Sequence, residues 1–401
     1  MRTPPLVSGL VLFAACQGTR PAAVDAYTAD RDFLAAHVDT LELAGPDGAR
    51  VLLVPAYQGR VMTSTTGGGD SSGWLNRELI ASRRFVEHMN GFGGEDRFWI
   101  GPEGGQFSVF FAPGTQFGLA DWFTPAPIDT EPFVLQEHDA SHAVFTRSFS
   151  LQNRAGTRFD VAVHREVVLG DAGEALARLG ATAAAGVRGV AFETRNTLTN
   201  TGTEPWTKAS GLLSIWILGM FNAAEDAMVL LPFERGSEAE RGPIVNDEYF
   251  GRIAADRLHI DAGRGLVLLR GDARSRGKIG LGPRRARSVL GSWDGAREVL
   301  TIVEFSRPAG ATDYVNSLWR LQDDPFGGDV VNSYNDGPAT PGGKGFGDFY
   351  ELESSSPALA LGPGAAATHV HRTLHLTGPR PALAKIALAV LGADLDALPV
   401  P

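Results

Sequence analysis

Cysteine, basic charge and long apolar runs are scarce in this sequence, and each scarcity argues against a class of protein. The chain of 401 residues contains one cysteine, so no internal disulfide can stabilise it. Acidic residues (46) outnumber lysine and arginine (36), and the net charge of -10 argues against nucleic acid as a partner. With 43% hydrophobic residues, the chain instead has the material for a large buried core.

The amino terminus has the composition of a secretory signal. MRTPPLVSGLVLFAACQG carries one early arginine and an apolar run too short to span a bilayer. Ala14 and Ala15 directly before Cys16 resemble a bacterial lipoprotein signal, which implies a lipid anchor on Cys16 in the cell envelope, periplasmic or outer-membrane. A signal cleaved nearby with an incidental cysteine is the alternative. We assign residues 1–15 to the signal and 16–27 to a linker.

Turn signals between alternating apolar runs predict an all-β domain over residues 28–378. Asp47-Gly48 is the clearest hairpin signal, and residues 153–156 and 262–265 repeat the arrangement. Further strands are predicted in FSVFFAP (107–113), VAFETRNTLTNTG (190–202), GLLSIWILGMF (211–221), EVLTIVEFSR (298–307), ALALGPG (358–364) and THVHRTLHL (368–376). So many antiparallel strands are expected to form two sheets packed face to face. Residues 379–401 show helical spacing and are assigned to a short C-terminal helical tail.

Four segments, taken in chain order, resemble the galactose mutarotase-like superfamily, the aldose 1-epimerases and their relatives. They are LLVPAYQGRVMTSTT (52–66), FGGEDRFWIGPEGGQFSVFF (92–111), NTLTNTGTEPW (196–206) and NSYNDGPATPGGKGFGDFYELESSSPALALGPG (332–364). The resemblance implies an antiparallel β-supersandwich that binds a carbohydrate in a cleft on one sheet. It implies no cofactor.

Two carboxylates in DFYELESSSPALALGPG (348–364) share one face of a predicted strand, because Glu351 and Glu353 are two residues apart. An edge strand with a solvated face is one explanation. The resemblance implies another, because Glu353 matches the catalytic glutamate and Glu351 is its ligand-binding neighbour. Such a base would take the proton from the anomeric hydroxyl while an acid protonates the ring oxygen. A like-charged neighbour or an apolar wall would raise its pKa toward that role.

The acid that the resemblance requires is absent from its expected place. Where the family carries a histidine after the Asn-Leu-Thr-Asn segment, this chain reads TGTEPW over residues 201–206. Either another residue supplies the proton or the protein binds sugar without turning it over. Asp336, Arg97 and His371 are the candidates, and Asn335 and His371 are assigned to the ligand-binding set.

The glycine-rich loop FGGEDRFWIGPEGGQ combines polar and aromatic groups that suit a sugar site. Glycine lets the backbone approach a ligand, and an aromatic ring gives a sugar a stacking face. Its candidate ligand-binding residues are Glu95, Asp96, Trp99, Glu103 and Gln106. The alternative is an ion-pair cluster that only holds the loop, with Arg97 bound to Glu95 or Glu103.

Three histidines, His369, His371 and His375, share one face of the predicted strand THVHRTLHL. Such a row could bind a metal. Without a carboxylate in the segment, a polar face lining a cleft or contacting solvent is favoured, and no metal is predicted. Trp216, inside SIWIL, is predicted to be core, whereas Trp206, Trp293 and Trp319 could be core or sugar platforms.

Two hypotheses follow. The first is an epimerase-like enzyme acting at the anomeric carbon of an aldose, with Glu353 as base. The second is a noncatalytic sugar-binding lipoprotein on the same fold. A polysaccharide lyase is a weaker third, since the chain lacks room for the helical domain that such enzymes carry. A proton donor opposite Glu353 would favour the enzyme.

Overall fold

Antiparallel strands in three sheets form the framework of the computed structural model, which describes residues 24–339 and 342–399. The three-stranded sheet contains β1 (Leu41–Ala44), β2 (Arg50–Val54) and β3 (Arg60–Thr65). The five-stranded sheet contains β4 (Arg97–Gly101), β9 (Ser214–Asn222), β13 (Gly277–Leu281), β16 (Val331–Asn335) and β17 (Phe349–Ser355), in the order β13-β16-β17-β9-β4.

The largest sheet has ten strands among the described residues. They are β5 (Val134–His138), β6 (His142–Gln152), β7 (Arg158–Gly170), β8 (Arg188–Asn200), β10 (Met228–Pro232), β11 (Leu258–Asp261), β12 (Leu266–Arg270), β14 (Val289–Asp294), β15 (Val299–Phe305) and β18 (Ala366–Thr377). Their order is β11-β12-β10-β14-β15-β18-β8-β7-β6-β5. Short helices are α1 (Ala26–Ala35), α2 (Arg77–Ser82), α3 (Ala172–Arg178), α4 (Glu238–Arg241) and α5 (Arg380–Leu391).

The hairpins predicted from turn residues are confirmed. Asp47 and Gly48 both have positive φ, 54° and 83°, and they connect β1 to β2. Residues 153–156 connect β6 to β7, and residues 262–265 connect β11 to β12. The α1 helix begins at Ala26, inside the stretch assigned to a linker.

Two strand predictions are wrong. Residues 107–113 form a compact loop, because the Ser108 hydroxyl donates to the Glu103 carbonyl and accepts from the N–H groups of Phe110 and Phe111. These hydrogen bonds compete with a strand ladder. Residues 358–364 also form a loop, with one isolated bridge at Leu359, in a stretch that begins after Pro357 and includes Pro363.

The ten-stranded and five-stranded sheets enclose the main core. Ile217 and Phe98 on the five-stranded sheet pack in one apolar cluster with Phe145 and Phe192 of the ten-stranded sheet. The outer face of the ten-stranded sheet is covered by α3 and α5, which confirms the short C-terminal helix. The five-stranded sheet has a second face, which points away from this core. That face could carry a ligand-binding site. Within the described residues, no helix is both long and apolar enough to span a membrane.

Candidate functional site

A cleft lies on the outer face of the five-stranded sheet. The sheet supplies its floor because strand alternation points every second side chain outward. The floor residues are Arg97, Trp99, Trp216, Leu218, Met220, Lys278, Tyr334, Phe349 and Glu351. The surrounding loops add Met89, Glu103, Leu119, Trp122, Phe250, Arg276, Trp319 and Phe346. We call this set the inner cleft.

Glu351 and Arg97 form a buried ion pair in the inner cleft. Arg97 Nη2 donates to Glu351 Oε1 at 3.0 Å, and the guanidinium lies 4.0 Å from the centre of the Trp99 ring. Burial, reinforced by the charge of Glu353 and partly offset by Arg97, raises the pKa of Glu351 to about 8. Glu351 therefore takes up a proton more readily than an exposed glutamate does.

Glu353 lies beneath the cleft surface. Its side chain is fully buried, and its Oε2 accepts from Lys278 Nζ and from Trp216 Nε1, both at 2.9 Å. Burial opposes the charge of Lys278, but the carboxylates of Glu353, Glu103 and Glu351 outweigh burial and raise the lysine pKa. The ammonium thus stays charged and covers Glu353.

The edge-strand explanation of these two carboxylates is wrong. Strand β17 is the central strand of its sheet, paired with β16 on one side and β9 on the other. Glu351 pairs across the sheet with Met220, and Glu353 with Leu218. Neither carboxylate is solvated, so each depends on a cation from another segment.

Glu103 supplies a third carboxyl to the inner cleft, as expected for a ligand-binding residue. It is 7% exposed, and burial raises its pKa, with Lys278 acting in the opposite direction. Arg97 has neither of the loop partners considered from the sequence, since its ion pair is with Glu351.

Tryptophans make up much of the wall. The Trp99 and Trp216 rings meet edge to face at 5.3 Å, and Trp122 stacks on Trp319 at 5.6 Å. Trp216 belongs to the main apolar core, as predicted, and it also lines the cleft and donates to Glu353. The Nε1 groups of Trp99 and Trp122 are buried without an acceptor in the described chain. A ligand hydroxyl could accept from them.

Asp336 and Asn335 end β16 beside the cleft and are engaged with the protein. Asp336 accepts from the Tyr334 hydroxyl at 2.6 Å and from the Gly347 N–H at 2.8 Å, and burial raises its pKa. Asn335 donates to the Ser275 carbonyl and accepts from the Ala273 N–H. Asp336 reaches the cleft only through Tyr334, and Asn335 orders a turn. The sequence analysis expected both residues at the ligand site, but neither lines the inner cleft.

The sequence interpretation assigned Glu95, Asp96 and Gln106 to the ligand site. The structure places all three outside the inner cleft. Glu95 Oε2 lies 2.8 Å from His375 Nε2, and Asp96 Oδ1 lies 2.7 Å from Arg165 Nη2, both in the core. They precede β4, where Gly93 and Gly94 have positive φ and turn the chain inward. Gln106 binds the Gln322 backbone in a neighbouring loop.

The histidine row of β18 is buried between the sheets and does not line the inner cleft. His369 Nε2 and His371 Nδ1 both lie 2.8 Å from the Ser354 hydroxyl, on the face of β17 opposite Glu353. Burial lowers the pKa of His371 to about 4. The proposed acid and ligand-binding roles of His371 are therefore wrong. Residues 24–339 and 342–399 gather no set of three or more metal-ligating side chains.

Lys278 and Arg276 are the charged cleft residues that the sequence interpretation missed. Lys278 lies 4.6 Å from the Trp216 ring centre, and Arg276 lies 3.8 Å from that of Phe250. The signal was available in SRGKIGLG, where two cations at alternate positions precede an apolar run.

The fold is a sandwich of antiparallel sheets with a cleft on the outer face of the five-stranded sheet. The sequence pattern of a family of unknown function (DUF6786) matches residues 25–399, and the chain belongs to that family. The Slr1438 protein from Synechocystis sp. PCC 6803 is 13% identical, with a TM-score of 0.53 over 85% of this chain and 96% of that one. The "Putative aldose 1-epimerase" from Escherichia coli K12 is 11% identical, with a TM-score of 0.51 over 85% and 99%. These likenesses concern the fold. No curated protein matches the chain.

Proposed function

We propose that the inner cleft binds a carbohydrate. The observation that carries the proposal is the buried charged groups lying directly over tryptophan rings, Arg97 over Trp99 and Lys278 over Trp216. A sugar ring offers apolar C–H faces for stacking and hydroxyls for hydrogen bonds, so it needs both kinds of partner within one ring width. A purely apolar ligand would leave the buried Nε1 groups of Trp99 and Trp122 without an acceptor.

An epimerase-like reaction at the anomeric carbon is the second candidate, favoured by the raised pKa of Glu351. A carboxyl with its pKa raised to about 8 can donate a proton to a ring oxygen at neutral pH, the role left vacant by the missing histidine. Glu353 would be the base. Its burial beneath Lys278 and Trp216 restricts access to a substrate hydroxyl, so binding without turnover agrees better with the geometry.

The test is to titrate the purified chain with a panel of free aldoses. Tryptophan fluorescence reports binding, and polarimetry reports anomer interconversion. We expect fluorescence changes that Glu351→Gln weakens and that the exposed control Glu204→Gln leaves intact. Absence of binding by every aldose and oligosaccharide would refute the proposal. Accelerated interconversion abolished by Glu353→Gln would establish the enzyme instead of the noncatalytic binder.

We also propose that the protein is lipid-anchored through Cys16 in the cell envelope. The support is the sequence of the amino terminus alone, since residues 1–23 lie outside the described part of the chain. Metabolic labelling with an alkyne fatty acid should mark the expressed chain, and Cys16→Ala should remove the label. An unlabelled wild-type chain would contradict the anchor.

A further inference from the structure

The inner cleft adjoins another depression of the protein surface. This second depression shares six lining residues with it, and we call this depression the outer groove. The shared residues are Met89, Leu119, Trp122, Met220, Phe346 and Phe349. The two depressions therefore adjoin along these six residues.

Exposed apolar side chains are concentrated along the outer groove. Phe85 is 66% exposed, Leu119 53% and Phe346 51%, and all three line it. Arg84 and Glu87 are also in its wall, so hydrogen-bonding groups alternate with apolar surface. Clustered exposed apolar residues on a soluble surface mark a binding site.

The segment that presents Phe85 is fixed in place. The Asn90 side chain accepts from the Val86 N–H at 2.8 Å and donates to Asp129 Oδ2 at 2.8 Å. His88 has a φ of 72°, which is unfavourable for a residue with a side chain, and its ring nitrogen lies 2.7 Å from the Trp122 carbonyl. Backbone strain of this kind is retained where the surrounding contacts impose it, and it clusters at ligand sites.

We propose that the outer groove holds the further sugar units of an oligosaccharide whose terminal unit occupies the inner cleft. This inference rests on the proposed function of that cleft. The six lining residues that the two depressions share favour a chain-like ligand that contacts both. The outer groove has exposed aromatic rings beside Arg84 and Glu87. The inner cleft has the same combination of aromatic and polar side chains.

The experiment compares ligands of increasing length on the full chain. Glucose, galactose and xylose, together with gluco-, galacto- and xylo-oligosaccharides of two to four units, are titrated calorimetrically. The variants are Phe85→Ala in the outer groove and Leu388→Ala, a control on α5 that removes another exposed apolar side chain. We expect one series to bind about tenfold more tightly as tetrasaccharide than as monosaccharide, a difference of about 1.4 kcal/mol.

Phe85→Ala should reduce that advantage severalfold while leaving monosaccharide affinity unchanged, and Leu388→Ala should change neither. Equal affinity at every length, or an advantage that Phe85→Ala leaves intact, would overturn the outer groove while the inner cleft still stands. No binding at any length would instead refute the proposed function itself. Self-association that Phe85→Ala abolishes would assign the groove to a second copy of the chain and overturn the inference.

Discussion

At the scale of single residues, Glu351 should make stability depend on pH. Its pKa rises from the ordinary 4.5 to about 8 in the folded state, so folding takes up a proton between these values. This contribution is fully present below pH 4.5 and is lost as the pH rises toward about 8. We expect Glu351→Gln to gain stability relative to the wild type as pH increases, measured as the difference in Tm across that range. A difference that is constant with pH would contradict this explanation.

Lys278 is the second residue with a measurable consequence, because it is the cation paired with buried Glu353. Lys278→Met leaves the carboxylate with Trp216 as its remaining donor and should lower the free energy of unfolding by about 3–5 kcal/mol. Adding Glu353→Gln removes the uncompensated charge and should restore most of the loss. Urea denaturation of the four variants in this cycle gives the coupling, and additive effects would disprove it.

At the scale of secondary-structure elements, sequence patterns correctly predicted the features that depend on neighbouring residues. These features are the side chains that share a strand face and the positions of hairpin turns. The face shared by Glu351 and Glu353 follows from strand alternation, and the Asp47-Gly48 hairpin follows from turn chemistry. The same patterns failed for residues 107–113 and 358–364, where a serine side chain and prolines replace strand hydrogen bonds. Apolar composition alone does not separate a strand from a buried loop.

The loop between β16 and β17 depends on a close approach that only glycine permits. A Cβ on Gly347 would lie 2.0 Å from Trp74 Cζ2, and Trp74 packs on Phe349 at 4.7 Å. We expect Gly347→Ala to displace Trp74 and lower the free energy of unfolding by about 1–3 kcal/mol.

The matched control is Gly362→Ala, whose Cβ would meet no atom within 4 Å. It should stay within about 0.5 kcal/mol of the wild type by the same urea measurement. Equal effects of the two substitutions would show that the Trp74 contact is not the cause.

At the scale of the whole molecule, the site is assembled from residues distant in sequence. Arg97 and Glu351 are 254 positions apart, and Lys278 and Glu353 are 75 apart. No local pattern encodes such partners, which is why Glu95 and Asp96 were expected in the cleft and Lys278 was not. The resemblance to a known fold predicted the packed sheets. The ion pairs in which this chain differs from that family could be identified only from the contacts in its own structure.

The C-terminal helix is the element whose loss should affect the entire fold. Leu383 of α5 is fully buried in the apolar cluster over the ten-stranded sheet, together with Trp293 and Leu300, whereas Leu388 on the same helix is 56% exposed. Leu383→Asp places an unpaired charge in that cluster and should cost about 4 kcal/mol or more.

Leu388→Asp adds the same charge to the same helix at an exposed position, so it should change stability by about 0.5 kcal/mol or less. Thermal unfolding and light scattering would compare them. If both variants unfold like the wild type, α5 is a dispensable tail. If only Leu383→Asp unfolds or aggregates, the helix closes the outer face of the ten-stranded sheet, and that sheet in turn supports the strands that position Arg97, Lys278 and Glu351.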